Sequence, residues 1–280
     1  MRMNPVAISA LTATSCLGTG LRATYAALQS QQTGLVPCNF ETVRLETYIG
    51  QVSGVEAQSL PGELANFDCR NNRLALLGLS QDGFIEATAR AVARYGAHRV
   101  GLFLGTSTSG ILEAEIAYRH RDPITGLLPE AFSYAGSLDF FSVAGFVRKL
   151  LGLQGPTAVV STACSSSAKV FAMARRYINL GLIDAALVGG VDSLCLTTLY
   201  GFHSLQLTST LPCRPFDAQR DGISIGEAAA FALLEVIPES GSQGSLALLG
   251  TGESSDAYHI SAPHPEPDGE NEADKQAFKF

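Results

Sequence analysis

The chain of 280 residues is 46% hydrophobic and 16% charged, and its 26 acidic and 19 basic residues leave a net charge of −7. This composition excludes a disordered chain, and the length is enough to bury about three quarters of the unfolded surface. With no cluster of Lys or Arg there is no face for nucleic acid, and no run approaches the ~18 apolar residues of a membrane span.

Residues 5–12 read as a first strand; the apolar core of a signal peptide is missing, so a cytoplasmic setting is expected. Helical period follows over 21–29 and 70–93, an apolar strand over 99–105, and helices over 109–121 and 140–151. Residues 121–135 read as a loop, with Asp122-Pro123 and Gly126 as breakers. Strands over 157–161 and 184–191 flank a helix over 165–181, and a further apolar run covers 223–237. This alternation predicts α/β layers around a mainly parallel sheet. Residues 238–244 read as a polar turn or linker, after which a strand opening at Leu246 repeats the apolar-then-small pattern of residues 6–12. A second, similarly built half is therefore expected to begin near 245, and residues 263–280, rich in Pro and charge, read as a solvated tail.

Six cysteines stand at 16, 38, 69, 164, 195 and 213 with no CxxC pair, so neither a metal site nor a disulfide framework is expected. Reduced, individually buried thiols are the default. Cys164 has a setting of its own. In Val159-Val160-Ser161-Thr162-Ala163-Cys164-Ser165-Ser166-Ser167, a strand enters a tight turn and a helix opens directly behind it. The free N–H groups and positive dipole end of a helix start favour a thiolate there, which makes a nucleophile. The plainer reading, that the serines cap the helix and Cys164 fills a small core space, carries about equal weight. A serine elbow, G-x-S-x-G, is absent, and residues 101–110 lack the ending of a phosphate-binding loop.

Two further stretches stand out. Arg214-Pro215-Phe216-Asp217, Arg220-Asp221-Gly222 and Gly226-Glu227 predict a surface loop pinned by ion pairs and held in one shape beside something important. Residues 250–265 carry His259 and His264, five apart in a Pro-broken loop, which is no helix-face pair. His98, His120 and His203 are isolated and read as surface histidines.

Taken in order, Thr162-Ala163-Cys164-Ser165, Gly189-Gly190-Val191-Asp192, Arg214-Pro215-Phe216-Asp217 with Arg220-Asp221-Gly222, and Ser254-Ser255-Asp256-Ala257 resemble the β-ketoacyl-acyl-carrier-protein synthases. These are the condensing enzymes of fatty acid and polyketide synthesis, and the likeness runs from the first strand to about Pro267. A thiolase or chalcone-type synthase is a more distant alternative, disfavoured by the Arg-Pro-Phe-Asp loop. The resemblance implies a thiolase-like α/β fold, layered α-β-α around a mixed five-stranded sheet and built as two similar halves. Here it implies an N-terminal domain over 1–240, the start of a C-terminal domain over 245–267 and a divergent polar tail over 268–280, with the second half largely missing.

By the same resemblance, Cys164 is the acyl-accepting nucleophile, Phe202 a bulky residue bordering it, and Ile111 sits where the family lines the acyl pocket across the dimer. Arg214, Asp217, Arg220 and Asp221 match a loop that is mostly structural. The implied activity is acyl transfer to the cysteine and decarboxylative condensation with malonyl carrier protein. Acyl carrier protein is the implied partner, in a homodimer or heterodimer with another synthase chain, and no metal or organic cofactor is implied. The family's two decarboxylation histidines lie in later-half segments that do not occur here, and His259 and His264 match neither. A non-catalytic partner subunit or a truncated remnant is the alternative expectation.

Overall fold

The computed structural model describes residues 3–237, 246–255, 258, 265 and 268–277. Strand β1 (Val6–Ser15) turns through β2 (Gly18–Thr19) into α1 (Leu21–Gln29), and β3 (Val36–Pro37) and β4 (Tyr48–Gly50) lead to α2 (Arg70–Leu79) and α3 (Phe84–Tyr95). Next come β5 (Val100–Gly105), α4 (Ile111–Arg119), α5 (Ser142–Leu150), β6 (Thr157–Val160), α6 (Ser166–Asn179), β7 (Ala185–Asp192) and α7 (Leu196–Ser204). The chain returns through β8 (Ile225–Gly226) and β9 (Ala228–Val236), followed by β10 (Ala247–Leu248) and α8 (Asp268–Ala277).

The main sheet runs β10-β1-β9-β7-β5-β6, so five full-length strands form a mixed sheet that the short β10 and β2 extend at β1. Strand β5 is parallel to β6 and β7, whereas β9 is antiparallel to both β7 and β1. The mainly parallel sheet expected from the alternation is therefore corrected to a mixed one. The cause is the excursion over 205–227, which stays at the end of the sheet where β7 stops. A strand re-entering from that end has to run back.

Period-two alternation sends each strand's apolar residues to opposite faces. Leu102, Leu104, Leu187, Phe231 and Leu233 meet α2, α3 and α5 through Leu74, Phe84, Ala91, Phe146 and Val147. On the other face Phe103, Ala186, Val188, Ala232 and Leu234 meet Val170, Ala174 and Ile178 of α6. Helices on both faces complete the α-β-α layering. A third cluster, with Phe40, Val43, Ile49, Leu112, Leu194 and Leu199, lies between α4, α7 and the small sheet β3-β4-β8. No helix among the described residues is long and apolar enough to cross a membrane.

Three expectations change. The helix expected over 70–93 is two helices, because Asp82 and Gly83 both take positive φ, +56° and +67°, and stop α2. The break frees the Asp82 carboxylate to accept the Leu21 N–H at 3.0 Å and the Thr12 hydroxyl at 2.9 Å, which caps α1 in place of the side chain that Gly20 lacks. The expected polar tail contains α8. It has no apolar stripe, but its residues are mostly good helix formers and Ala273 and Ala277 lie so close over Gly252 and Gly250 that no side chain fits between them. Helix α7, which Thr, Tyr and Gly make a poor helix by propensity, was not expected at all.

Residues 121–135 are the expected loop, closed by one π-helical turn at Tyr134–Leu138. The echo strand at Leu246 pairs antiparallel with the strand it resembles, Ala247 opposite Ala7. The linker over 238–244 lies outside the described residues, as do His259, His264, Asp256 and Ala257.

Candidate functional site

Strands β6, β5 and β7 lie side by side and parallel, so their C-terminal ends form one rim. In open α/β sheets the carboxyl ends of the strands are where ligands bind. Each residue singled out in the sequence follows one of these ends: Cys164 after β6, Ile111 after β5, and Phe202 on α7 after β7. Ile111 packs into the cluster that holds Leu194, Cys195 and Leu199 at the base of α7. Phe202 is half-buried and, like Cys164, is not part of that cluster.

The turn that carries Cys164 is built from short-range bonds. Ala163 sits at φ +51°, a left-handed conformation uncommon for a residue with a Cβ. The Ser166 hydroxyl accepts the Thr162 N–H at 2.9 Å and donates to the Ala163 carbonyl at 2.6 Å. The Ser165 hydroxyl turns back to the Thr162 carbonyl at 2.9 Å and makes no cap on α6. The start of this 14-residue helix therefore keeps its uncapped positive end beside the elbow. Cys164 is exposed, whereas Cys69 and Cys195 are buried and Cys16, Cys38 and Cys213 half-buried. Of the two readings of this turn the plainer one therefore fails, since no serine side chain caps the helix and Cys164 fills no core space, and the default of buried thiols is corrected for Cys164.

The height of the elbow above the sheet is set by two glycines. Gly105 and Gly190 are paired in the β5–β7 register. A Cβ on Gly105 would strike the backbone of Ser166 and Ser167, and one on Gly190 would strike the Ser167 side chain. The first turn of α6 thus rests directly on sheet backbone. Gly105→Ala is expected to cost about 1–3 kcal/mol as overpacking and to lower the melting temperature by about 2–4 °C per kcal/mol. A thermal melt checks this, and a variant that melts with the parent would refute the close-packed seat.

Behind the rim is a buried charge network. Arg70, at the start of α2, grips Glu227 with two bonds of 2.8 and 2.6 Å, and its third arm reaches Glu56 at 2.6 Å. Glu227 also accepts the N–H groups of Val52 and Leu194, each at 2.9 Å. Burial alone lowers the arginine's basicity, but the bonds to Glu227 and Glu56 more than reverse this and its pKa is raised. Burial likewise pushes Glu56 up, and its bond to Arg70 brings it below the usual carboxylate range.

Glu113 on α4 accepts the Arg70 N–H at 2.6 Å through one oxygen, while the other oxygen is buried without a partner. Burial raises its pKa. A raised folded-state pKa contributes stability below the unfolded value of about 4.3 and loses it as the pH rises through the folded value. Glu113→Gln is accordingly expected to melt no lower than the parent at pH 7, with any advantage vanishing on acidification towards pH ~4. Paired melts at the two pH values check the sign.

Of the stretch expected to be pinned by ion pairs, only Glu227 makes one, to Arg70, and the loop over 211–222 contains none. Main-chain groups hold it: the Arg214 guanidinium donates to the Gln219 carbonyl at 2.5 Å, Arg220 donates to the Asp217 carbonyl at 3.0 Å, and Asp217 accepts the Gln219 N–H at 2.6 Å. Asp221 accepts the Ser209 hydroxyl at 2.8 Å. Phe216 at the tip is fully exposed with φ +64°. His98, His120 and His203 are exposed, with His203 bonded to Thr208 at 3.0 Å and His120 to the Ile116 carbonyl at 2.9 Å. Among the described residues no group of three or more His, Cys, Asp or Glu side chains is disposed to hold a metal ion.

Sequence reasoning missed Arg70 as the partner of Glu227, since 157 residues separate them. The flanking Gly226-Glu227 had marked one end of the pair.

The family described as "Beta-ketoacyl synthase, N-terminal domain" matches residues 3–239. Nodulation protein E of Rhizobium meliloti (strain 1021) is 34% identical over 169 residues, 59% of this chain and 42% of that protein. The 3-oxoacyl-[acyl-carrier-protein] synthase 2 of Staphylococcus aureus is 28% identical over 201 residues, 65% of this chain and 47% of that one. The chain thus spans under half the length of these curated relatives. Among solved structures, the ketosynthase ApeO in complex with its chain length factor ApeC, from Xenorhabdus doucetiae, superposes with a TM-score of 0.84 at 33% identity, covering 98% of this chain and 68% of that one. The ishigamide ketosynthase/chain length factor, at 22% identity and a TM-score of 0.81, shares the fold over 98% of this chain and 69% of its own.

Proposed function

The chain belongs to the β-ketoacyl synthase family, and from that premise we propose that it is a 3-oxoacyl-[acyl-carrier-protein] synthase chain whose Cys164 accepts the acyl group. The Cys164 sulfur attacks the thioester carbonyl of an acyl chain carried on acyl carrier protein. The tetrahedral intermediate collapses, the carrier's thiol leaves with a proton, and the acyl group stays on Cys164 as a new thioester. In the second half-reaction malonyl carrier protein loses carbon dioxide, and the resulting enolate attacks that thioester to give the 3-oxoacyl product and free Cys164. Ile111 and Phe202 are the residues we assign to the walls of the acyl site. The reading carries with it a cytoplasmic setting, the synthesis of fatty acids or polyketides, and no metal or organic cofactor.

One observation supports this above the others. Of six cysteines only Cys164 is exposed, and it stands on a backbone elbow between a strand end and the uncapped start of a helix. A second reading, a subunit that acts by pairing with another synthase chain, is favoured by the exposed Tyr200, Leu205, Leu207, Leu211 and Phe216 around α7 and the following loop. The likeness to a ketosynthase bound to its chain length factor points the same way.

The intact mass of the folded chain, incubated with a panel of acyl carrier proteins bearing different acyl groups, tests the first reading. A gain equal to the acyl group supports acceptance on the chain. A folded sample that gains nothing from any carrier overturns it in favour of the pairing subunit.

A further inference from the structure

A single carboxylate oxygen organises the rim next to the elbow. Asp192, the last residue of β7, turns its Oδ1 towards the loop that follows β5. That one oxygen accepts the N–H groups of Ser107 at 2.7 Å and Thr108 at 2.9 Å. It also accepts the hydroxyls of Thr106 at 3.3 Å, Ser107 at 3.2 Å and Thr108 at 3.0 Å. Hydrogen bonds to a charged acceptor are the stronger kind, and five donors converging on one atom leave the loop little freedom.

The loop so held is tied on every side. The Thr106 N–H bonds the Val160 carbonyl at 3.1 Å, continuing the β5–β6 ladder to within four residues of Cys164. The Thr108 hydroxyl oxygen accepts the Ser193 N–H at 3.0 Å. Ser109, at φ +43°, donates its hydroxyl to the carbonyls of Ser137 and Asp139, and the Gly110 N–H bonds Ser137. Directly after Gly110, helix α4 begins with Ile111. Asp192 also lines, with Ser167 and Phe171, a cavity of about 790 Å³ beside the first turn of α6. It therefore stands between the loop that launches Ile111 and the helix that carries the elbow.

We propose that Asp192 is a positioning residue for acyl selection: by gathering Thr106, Ser107 and Thr108 it fixes the turn that sets Ile111, and with it the length of acyl chain that reaches Cys164. This rests on the acyl-accepting reading above. Asp192 itself touches no reacting atom. Its carboxylate acts by holding backbone, and an amide in its place keeps an oxygen that can accept the same donors.

The test compares the parent with D192A, D192N and Thr108→Val by hydrogen–deuterium exchange over residues 105–116 and by the ratio of long-chain to short-chain acyl uptake from the carrier panel. In D192A the exchange of this segment is expected to rise about ten-fold or more, because the convergent acceptor is gone, and the uptake ratio to move about five-fold. D192N is expected to restore most of both, and Thr108→Val, which deletes one donor and leaves the carboxylate, to shift both the same way by less. A D192A chain whose loop exchanges like the parent's overturns the clamp. Raised exchange with an unchanged uptake ratio overturns the role in selection. A parent that loads no acyl group sinks the acyl-accepting reading and the selection role together, while the exchange result still judges the clamp. Should D192A fail to fold, D192N and Thr108→Val carry the same comparisons.

Discussion

Cys164→Ala is expected to abolish acyl uptake altogether, while His203→Ala, an exposed residue bonded only within its own turn, leaves it at the parent level. The reason is chemical rather than structural. Transfer between thioesters needs a sulfur that attacks a carbonyl and then holds the acyl group, and alanine supplies no atom for either step. Structurally the substitution is mild, because Cys164 is exposed and the elbow is made by the backbone of Thr162 and Ala163 and the hydroxyls of Ser165 and Ser166. The variant should therefore fold and melt like the parent. Intact mass after incubation with acyl carriers separates the outcomes: an alanine variant that gains as much acyl mass as the parent would end the assignment of Cys164 as acceptor.

Glu227→Ala should be the most destabilising of the single changes considered, by about 3–5 kcal/mol, since it leaves the buried Arg70 guanidinium with the exposed Glu56 as its one remaining carboxylate partner. Native domains are stable by only about 5–15 kcal/mol, so the change removes a large share of that margin. Two further losses add to this: the N–H groups of Val52 and Leu194 lose their acceptor. The exposed pairs behave differently. Arg73–Asp68 and Arg99–Asp184 lie at the surface, where such pairs contribute about 0–1 kcal/mol. Replacing Arg70 and Glu227 together with Met and Leu is expected to cost less than Glu227→Ala alone, because no uncompensated charge remains. Urea unfolding of the three proteins decides it, and a double variant less stable than the single would refute the account.

Much of the sheet and the elbow was legible because each is encoded locally. Short apolar runs mark β5, β6 and β7, a 3.6 period marks α6, and the change between them at residues 160–166 gives away the turn that carries Cys164. What escaped was encoded at a distance. The 70–93 segment keeps its helical period across residues 80–83, and only the tertiary use of Asp82 as a cap for α1 explains the break. The direction of β9 depends on where residues 205–227 leave the sheet, which no window of sequence contains. Helix α7 forms against α4 and the Leu194–Leu199 cluster despite its composition, a case of packing overriding propensity. Asp192 stood in view within Gly189-Gly190-Val191-Asp192, but its five donors come from a loop some 85 residues earlier.

The pairing of β1 with β9 also sets a timetable. Val6 is matched to Val236, so β1 finds this partner only after roughly 230 further residues have been added, on the order of ten to fifty seconds later. The β5, β6 and β7 unit, joined by α4, α5 and α6, is complete well before that. During the interval β1 has only the two-residue β2 as a strand partner and keeps an open apolar face, the kind of segment that chaperones bind and that neighbouring nascent chains capture. Slow synthesis or crowded polysomes should hence lower the yield of folded protein without any change in the stability of the finished molecule.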